Sequence, residues 1–495
     1  MSKRLILILA LAFVVGIACA AYAEVQNVKV SGDITAYGVA RDNLDLAKER
    51  PTAPAEPGDG TNNQIIKSDK IANAISIVRV RVDADLTDNV STTVRLINER
   101  VWGSEYTTID TNGSTEIDLD LAYATMKEFL YSPLTLTLGR QELHFGNDFI
   151  VGDPDTNGVA LGSALPLNEQ DLSARKAFDA VRATLNYDPL VMDLVWAKVS
   201  EGTNTLNDDT TLLGVNANYA LDKQTNLEGY FFGKIKDGAA TKANTASITD
   251  NVNKADKVFT LGGKVRNTTL KNTTLSLESA YQFGTYNPAF DINSNLNLAP
   301  LYSNTAPRSA WALEAMATYD LKDIARIGKY SPSLTGMYIY LSGEDPQQKH
   351  GSDTYHGWDG MYENQTAGHL ANAIMGFTNS QIVGLNGKMK PMEDLTLNVE
   401  YYYYWLVKGY TNNTVTNLVN LKGIAGAPTY VMSNNKHLGQ EIDAKLTYDY
   451  TEDVQFGLLA GVFLPGAAFV DREDRTTSTG KSPASEVIGS MKVTF

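Results

Sequence analysis

Apolar and polar residues alternate along almost the whole chain, and this alternation constrains the fold more than any other feature. In residues 78–86 every second residue is apolar, while Arg79, Arg81, Asp83 and Asp85 fill the positions between them. A period of two predicts β-strands that have one apolar and one polar face. We count eighteen such segments, which begin near residues 27, 73, 90, 117, 134, 177, 190, 212, 225, 258, 273, 309, 331, 380, 395, 438, 454 and 485.

The connections between these segments alternate between tight turns and long polar loops. The turns include Thr87–Asn89, Asp188–Pro189, Asp222–Gln224, Met392–Asp394 and Thr451–Asp453, and the loops include 42–72, 144–176, 236–257, 285–308, 344–379 and 408–437. A soluble sandwich has no reason to collect its long loops at one end, whereas an outer-membrane barrel has short periplasmic turns and long extracellular loops. The pattern predicts one all-β domain over residues 24–495, a transmembrane antiparallel β-barrel of about 18 strands.

The last segment supports closure of this barrel. Val487, Met491 and Phe495 lie on its apolar face, and the segment stops on an aromatic ring. Such a strand is similar to the signal by which the barrel-assembly machinery recognises its clients, so we expect that machinery as a partner. Because an unpaired strand edge cannot face lipid, we expect Ser485–Phe495 to pair with Asn27–Arg41.

The predicted outer face carries tyrosines near the ends of the segments. They are Tyr187, Tyr219, Tyr281, Tyr319, Tyr448 and Tyr450. A ring that is apolar on one side and polar at its tip suits the membrane interface, so these residues predict aromatic girdles. We therefore expect outer-membrane lipid and lipopolysaccharide to surround the barrel.

The first 23 residues have the form of a secretory signal peptide. Lys3 and Arg4 precede the apolar run 5–18, and small residues allow cleavage after Ala23. The run is shorter than the roughly 20 residues of a membrane-spanning helix, and the remaining chain has no long apolar stretch. Cleavage also removes Cys19, the only cysteine, which excludes disulfide and thiol chemistry. These features predict Sec-dependent export to the bacterial outer membrane.

The residue types that carry catalysis or bind metals form no recognisable pattern. The five histidines, His144, His350, His356, His369 and His437, lie in the long loops or at their edges, without helical spacing or a cysteine partner. No nucleophile elbow, phosphate loop or dinucleotide fingerprint occurs. Loss of the two signal-peptide cations takes the net charge from −15 to −17, which is unsuited to binding phosphates of nucleic acids. We expect no enzyme activity, no metal, no cofactor and no nucleic-acid partner.

Several short phrases along the chain carry a family resemblance. They are Gly139-Arg140-Gln141, Phe145-Gly146-Asn147-Asp148, Phe178-Asp179-Ala180-Val181-Arg182, Ser342-Gly343-Glu344-Asp345, Gly368-His369-Leu370, Leu438-Gly439-Gln440-Glu441-Ile442-Asp443 and Phe463-Leu464-Pro465-Gly466. In this order they resemble the landmarks of the alginate-export family of outer-membrane porins, over nearly all of the mature chain. The resemblance implies an eighteen-stranded monomeric barrel with a conductive pore. That family includes a member that exports the polyanion alginate through an arginine-rich lumen.

The alternation also assigns charged residues to the lumen, where the two signs nearly balance. The basic residues are Lys29, Arg79, Arg81, Arg95, Arg182, Lys234, Lys264, Arg266, Lys388, Lys445 and Lys492. The acidic residues are Asp33, Asp83, Asp85, Asp118, Asp120, Glu228, Glu278, Glu314, Glu400, Glu441 and Asp443. A long polyanion needs a positive field along its path, whereas opposite charges on one strand face cancel beyond about 8 Å in physiological salt. This balance predicts weak ion selectivity.

Three functions remain open from the sequence. The balanced lumen favours a porin for passive diffusion of small polar or charged solutes. The alternatives are an export channel for an alginate-type exopolysaccharide, and a barrel that displays loops or holds a partner without transport. Loops 144–176 and 344–379 are the candidates for folding into the pore. Because Arg140 and Arg182 flank the first of these loops, we predict both at a constriction with unpaired charge; structural ion pairs in the wall are the alternative.

Overall fold

The computed structural model describes residues 26–44, 46, 70–103, 117–156, 165, 167–201, 209–237, 254–287, 305–345, 354–376, 378–410, 414–416, 430–470 and 481–495. The predicted signal peptide lies outside these residues. The strands are β1 (Asn27–Asp42), β2 (Ile71–Thr87), β3 (Val90–Val101), β4 (Asp118–Met126), β5 (Leu134–Glu142), β6 (Ala177–Asn186), β7 (Leu190–Ser200), β8 (Thr210–Ala220), β9 (Thr225–Lys236), β10 (Asp256–Asn267), β11 (Thr273–Tyr286), β12 (Ala306–Asp320), β13 (Ser333–Leu341), β14 (Ser380–Met392), β15 (Leu395–Leu406), β16 (Thr414–Thr416), β17 (Tyr430–Met432), β18 (His437–Asp449), β19 (Val454–Pro465) and β20 (Ala484–Thr494).

Helical structure is sparse. One α-helix, α1 (His369–Ile374), and three short 3₁₀ helices (Leu167–Leu172, Leu321–Asp323 and Gly328–Tyr330) occur among the described residues. In the same residues, no helix is both long enough and apolar enough to cross a membrane.

Eighteen of the strands form one closed antiparallel sheet. Each strand pairs with its neighbour along the chain, except that β15 pairs with β18 because β16 and β17 form a separate hairpin in the loop between them. The sheet closes where β20 pairs with β1, from Asp33 opposite Thr494 to Asp42 opposite Ser485. The predicted closed barrel is confirmed. Each predicted segment begins within three residues of the first residue of an observed strand.

Side chains alternate between the two faces of the wall as the period of two predicts. On β2, Val80 and Val82 are exposed on the outer face, while Ile75 and Ile77 are buried on the inner face. The six tyrosines of the predicted girdles are all exposed, between 39% and 61%. A barrel whose outer face is apolar buries it in lipid, and closure satisfies every backbone group of the strands.

The two ends of the barrel differ strongly. Eight connections are turns and lie at one end, here called the turn end; the longest spans residues 321–332. Nine connections are loops and lie at the other end, here called the loop end. Within the loop end, buried side chains from the loops, such as Phe149, Trp358 and Leu370, pack with inward-facing strand residues such as Ala312 and Phe463. The packed core of the protein is therefore inside the barrel, at its loop end.

Candidate pore and constriction

The loop between β5 and β6 enters the barrel and binds carboxylates of the inner wall. The backbone N–H of Gly146 donates to Glu228 at 2.9 Å, and the N–H of Asn147 donates to Glu278 at 2.9 Å. The Asn147 side chain donates to Glu314 at 2.5 Å. Three acids that the sequence assigns to the lumen on β9, β11 and β12 therefore hold this loop against the wall.

These contacts leave the carboxylates buried but satisfied. Glu278 and Glu314 are 0% and 2% exposed. Tyr230 donates its hydroxyl to Glu278 at 2.8 Å, and Lys264 donates to the carbonyl of Gly146 at 2.8 Å. An unpaired buried carboxylate is costly, so the wall acids and the loop N–H groups stabilise each other.

The second half of the same loop binds the opposite wall. Arg41 of β1 is fully buried and bridges Asp171 of the loop at 2.7 Å and Glu486 of β20 at 2.9 Å. Arg175 contacts Glu99 of β3 at 3.2 Å and Asp118 of β4 at 2.5 Å. Because its first half is held at β9–β12, the loop crosses the lumen. The predicted lumen residue Asp118 is thus a loop anchor.

The loop between β13 and β14 also enters the barrel. The N–H groups of Leu370 and Ala371, at the start of α1, donate to Glu441 at 2.8 and 2.7 Å, and that of His369 donates to Asp443 at 3.4 Å. Carboxylates at the first turn of a helix satisfy N–H groups that have no partner within the helix. Two further predicted lumen acids therefore anchor α1 to β18.

One predicted lumen cation also binds this second loop. Lys234 of β9 contacts Asp359 at 2.5 Å, and its amino group lies 5.7 Å from the ring centroid of Tyr362. The wall of the barrel thus holds the loop from both sides.

The two inward loops contact each other in the middle of the barrel. The N–H groups of Gly152 and Asp153 donate to the carbonyl of Tyr362, at 2.7 and 3.0 Å. The rings of Phe149 and Trp358 stack with centroids 5.9 Å apart. Both loops that the sequence indicated as candidates therefore fold inward and pack against each other inside the barrel; the part of the lumen that they occupy is called the constriction below.

A buried acid lies where the two loops meet. Glu363 is 3% exposed, and one of its carboxyl oxygens accepts an N–H from Gln365 at 2.7 Å. The ion pair of Asp153 and Lys176 lies nearby. Burial raises the pKa of Glu363 to about 8, so its neutral form predominates at pH 7.

Paired arginines line one sector of the wall. Arg79 contacts Asp33 at 2.9 Å, and Arg81 contacts Asp83 at 2.8 Å. On the neighbouring strand, Arg95 lies opposite Arg81 and contacts Asp120 at 2.5 Å. The predicted pairing of opposite charges on the inner face is therefore confirmed in this sector.

The two arginines assigned to the constriction are both ion-paired. Arg182 of β6 contacts Asp193 at 2.8 Å and lies 5.5 Å from the ring centroid of Phe145, on the first inward loop. Arg140 contacts Asp179 at 3.1 Å. The prediction of unpaired arginine is therefore wrong, because wall carboxylates lie within reach of both guanidinium groups.

Arg140 also faces away from the lumen. Its partner Asp179, directly opposite on β6, is 61% exposed on the side chain, whereas Phe178 and Ala180 on either side of it are buried against the inner core. Successive side chains of a strand point to opposite faces, so Asp179 and Arg140 lie on the outer face near the loop end. The prediction that Arg140 lines the pore is therefore wrong.

A different set of inner-wall cations has no carboxylate partner. Among the described residues, no carboxylate oxygen lies within 4.0 Å of the charged groups of Lys29, Arg266, Lys388, Lys445 and Lys492, all of which are exposed. Lys388 and Lys445 flank Asn398 on the strand between them. The predicted cancellation of Lys445 by Glu441 and Asp443 does not occur, because those acids bind α1.

The remaining predicted lumen acids differ in their contacts. Glu400 accepts hydrogen bonds from Asn386 at 3.0 Å, Asn398 at 2.5 Å and the hydroxyl of Tyr402 at 2.6 Å. Asp85 is exposed and accepts a long hydrogen bond of 3.5 Å from Asn27. Of these two acids, Glu400 is engaged by wall side chains, and Asp85 is the one that is exposed.

Sequence reasoning missed the anchor that Arg41 forms with Asp171 and Glu486. Arg41 and Glu486 share the inward parity of Asp33 and Lys492, so the alternation could have placed both on the inner wall. Asp171 lies in a loop without periodicity, and no signal in the sequence pairs it with Arg41.

Comparison with known proteins agrees with this architecture. The family model described as alginate export matches residues 41–480. The chain belongs to the alginate export family. It is an outer-membrane β-barrel porin, as the closed barrel of eighteen strands and its inward loops indicate. A search of curated proteins found no match to this member of the alginate export family.

Solved structures of Pseudomonas aeruginosa porins share the fold of this alginate export family member. OccK8 (OprE) is 9% identical, with a TM-score of 0.53 over 95% of this chain and 98% of that chain. OpdQ is 10% identical, with a TM-score of 0.51 over 96% of this chain and 99% of that chain. OpdK, solved with vanillate, is 9% identical, with a TM-score of 0.50 over 95% and 100%. At these identities the likeness extends to the fold alone.

Proposed function

We propose that this porin passes small anionic solutes in preference to cations, by passive diffusion. One observation carries the proposal: acids of the inner wall are largely buried as loop anchors, while the cations without carboxylate partners are exposed. Glu278, Glu314 and Glu441 are each at most 2% exposed, whereas Lys388 and Lys445 face open space. A solute therefore meets positive side chains on the wall, and a pore lined by one sign of charge concentrates the opposite ion.

The residues proposed to line the pore fall into two groups. The first is the arginine sector, Arg79, Arg81, Asp83, Asp85 and Arg182, with Asp120 buried behind it against Arg95, and the second is the open wall, with Lys388, Glu400 and Lys445. In the arginine sector each guanidinium keeps donors beyond those used by its carboxylate, and a guanidinium suits planar recognition of carboxylates. Glu228, Lys234, Glu278, Glu314, Glu441, Asp443 and Asp118 are assigned to the support of the two loops. This division replaces the balanced lining expected from the sequence.

Export of a long polyanion is the weaker alternative. The loop between β5 and β6 crosses the lumen and brings Asp148 and Asp153 into it, and Asp359 enters on the second loop. A polymer needs a continuous positive field along its whole path, and at the level of the two loops the charges of Lys176 and Lys234 are neutralised by Asp153 and Asp359. Small anions pass such a level more easily because they occupy only one part of the pore at a time.

Uptake of size-matched sugars into liposomes tests the proposal. We expect gluconate to enter faster than glucose, and glucose faster than glucosamine, when the purified porin is reconstituted. Replacing Lys388 and Lys445 together by glutamine should reduce the gluconate advantage by up to about thirtyfold, since each charge at contact distance in water contributes about 1 kcal/mol. Lys257→Gln is the matched control, because Lys257 is exposed on the outer face of β10. Equal entry of the three sugars through the wild-type protein contradicts the proposal.

A further inference from the structure

The outer wall has an apolar groove near the turn end of β10–β13. Its volume is about 620 Å³, within the roughly 300–1,000 Å³ typical of small-molecule sites. Ala315, Ala317 and Gly336 form its floor, which lies close to the backbone because these residues carry little or no side chain. The larger side chains of Leu277 and Tyr338 form its two sides. In the sheet, Ala317 lies opposite Gly336, and Ala315 lies between Leu277 and Tyr338. The groove opens toward the hydrocarbon of the membrane.

A basic turn lies at the mouth of this groove. β12 ends at Asp320, three residues after Ala317, and the turn of residues 321–332 leads into β13. The turn carries Lys322, Arg326 and Lys329, all exposed, and none of them forms an ion pair with a described residue. Three uncompensated cations within eight residues stand out in a chain whose net charge is −15.

The only acid of this turn is already neutralised by the neighbouring turn. Lys271 contacts Asp323 at 2.7 Å, and Asn272 donates to the same carboxylate at 2.8 Å. The contact with Lys271, and to a smaller extent that with Asn272, holds the pKa of Asp323 below its ordinary value. The charge at the mouth of the groove is therefore positive.

The turn is built as a compact unit with two apolar side chains on its surface. Gly328 donates its N–H to the carbonyl of Ile324 at 2.8 Å, and a Cβ at Gly328 would lie 2.1 Å from the carbonyl oxygen of Lys322. Ile324 and Ile327 are 44% and 42% exposed. Apolar and basic residues side by side on a preformed surface suit the headgroup region of a membrane.

We propose that the groove and the basic turn bind one anionic glycerophospholipid of the periplasmic leaflet. An acyl chain lies in the groove over Ala315, Ala317 and Gly336, and the phosphate lies against Lys322, Arg326 and Lys329. Charge complementarity selects this occupant: a periplasmic turn faces phospholipid headgroups, and each basic residue near an anionic lipid surface favours its binding. The site is separate from the pore, so it adds a lipid-binding function to the channel.

Native mass spectrometry of the full barrel, released from detergent, tests this site. The probes are phosphatidylglycerol and phosphatidylethanolamine with identical acyl chains, each added at low molar excess. We expect the wild-type protein to retain one phosphatidylglycerol in preference to phosphatidylethanolamine. Replacing Lys322, Arg326 and Lys329 by glutamine should lower the phosphatidylglycerol adduct about tenfold or more, to the level of phosphatidylethanolamine.

Matched controls separate this site from general effects. Glutamine at Lys29, Lys127 and Lys223, which lie at the same end of the barrel but away from β10–β14, removes the same charge and should leave the preference intact. Gly336→Leu fills the groove, and no atom lies within 4 Å of a Cβ at this position; the same is true of Gly229 on the exposed face of β9, so Gly229→Leu is its control. Gly336→Leu should lower the adducts of both lipids, and Gly229→Leu should not.

The outcomes that overturn the proposal are distinct. Equal adducts of the two lipids in the wild type, or equal loss in both glutamine triples, would indicate a general lipid shell. Unchanged adducts in Gly336→Leu would show that the groove holds no acyl chain. Retention of the heat-dependent shift in gel mobility, which reports a closed barrel, confirms that each variant is folded.

Discussion

Arg41→Met is expected to weaken the attachment of residues 167–172 to the wall, while Arg175 keeps its contacts with Glu99 and Asp118, and to enlarge the channel. The buried guanidinium of Arg41 joins Asp171 of the loop, at 2.7 Å, to Glu486 of the wall, at 2.9 Å. Methionine has a similar length without charge, so both carboxylates lose their cation. Removal of one partner from a buried ion pair costs about 3–5 kcal/mol, because the other charge stays buried. We expect a higher single-channel conductance and a lower urea midpoint of unfolding.

A double variant separates the loop from the stability of the barrel. In Arg41→Met with Glu486→Leu, no unpaired carboxylate remains on the wall, while Asp171, 12% exposed on its side chain, can turn to water. We expect the double variant to regain part of the lost free energy of unfolding and to keep the high conductance. Wild-type conductance in the single variant would show that Arg41 does not hold the constriction.

The constriction is expected to loosen as the pH rises toward 9. Burial raises the pKa of Glu363 to about 8 from an ordinary 4.5, so the folded loop binds a proton that the released loop does not. The free energy that favours the packed loop over the released loop has its full value below pH 4.5. It falls by about 1.4 kcal/mol for each pH unit between pH 4.5 and pH 8. Above pH 8 no further loss follows, because Glu363 is then ionised in both states.

Hydrogen exchange of residues 354–376 at pH 6 and pH 9, corrected for intrinsic rates, measures this effect. Glu363→Gln keeps the shape and stays neutral, so its protection should be independent of pH. The groups near Glu363 on the other loop are Asp148, Asp153 and Lys176. His144 needs a control, since its contact with Asp148 at 3.1 Å raises its pKa. His144→Asn should retain the wild-type pH dependence, and loss of the dependence there assigns the effect to His144 instead.

The barrel could be predicted from the sequence because the alternation that specifies its strands involves only residues close together in the chain. A period of two depends only on which face of a strand meets lipid, so β2 and its inner residues Arg79 and Arg81 follow directly from the order of residues. Closure follows as well, since a free edge has no partner in lipid. The pairing of β20 with β1 needed no knowledge of the loops.

The constriction could not be predicted because its contacts join distant parts of the chain. Glu278 faces the lumen as the alternation predicts, but its partner is the backbone N–H of Asn147, a group that every residue except proline carries. Acids that appear free in the sequence are therefore occupied by loops. Lys445 is left without the partners that its strand neighbours were expected to supply.

The error at Arg140 has a different origin. Leu134, Leu136 and Leu138 share its parity, and Leu138 is exposed on the outer face, so the alternation itself places Arg140 outside. The prediction of Arg140 at a constriction rests on its place beside a long loop and not on this alternation. A local rule with a physical cause was the better guide at this position.

The zero-current potential of the wild-type porin in a planar bilayer, under a gradient of potassium chloride, tests the central claim most directly. The account predicts discrete conductance steps and a reversal potential displaced toward the equilibrium potential of chloride, because the exposed cations of the wall concentrate anions. A reversal potential displaced toward that of potassium, or folded protein that conducts no current, would contradict it.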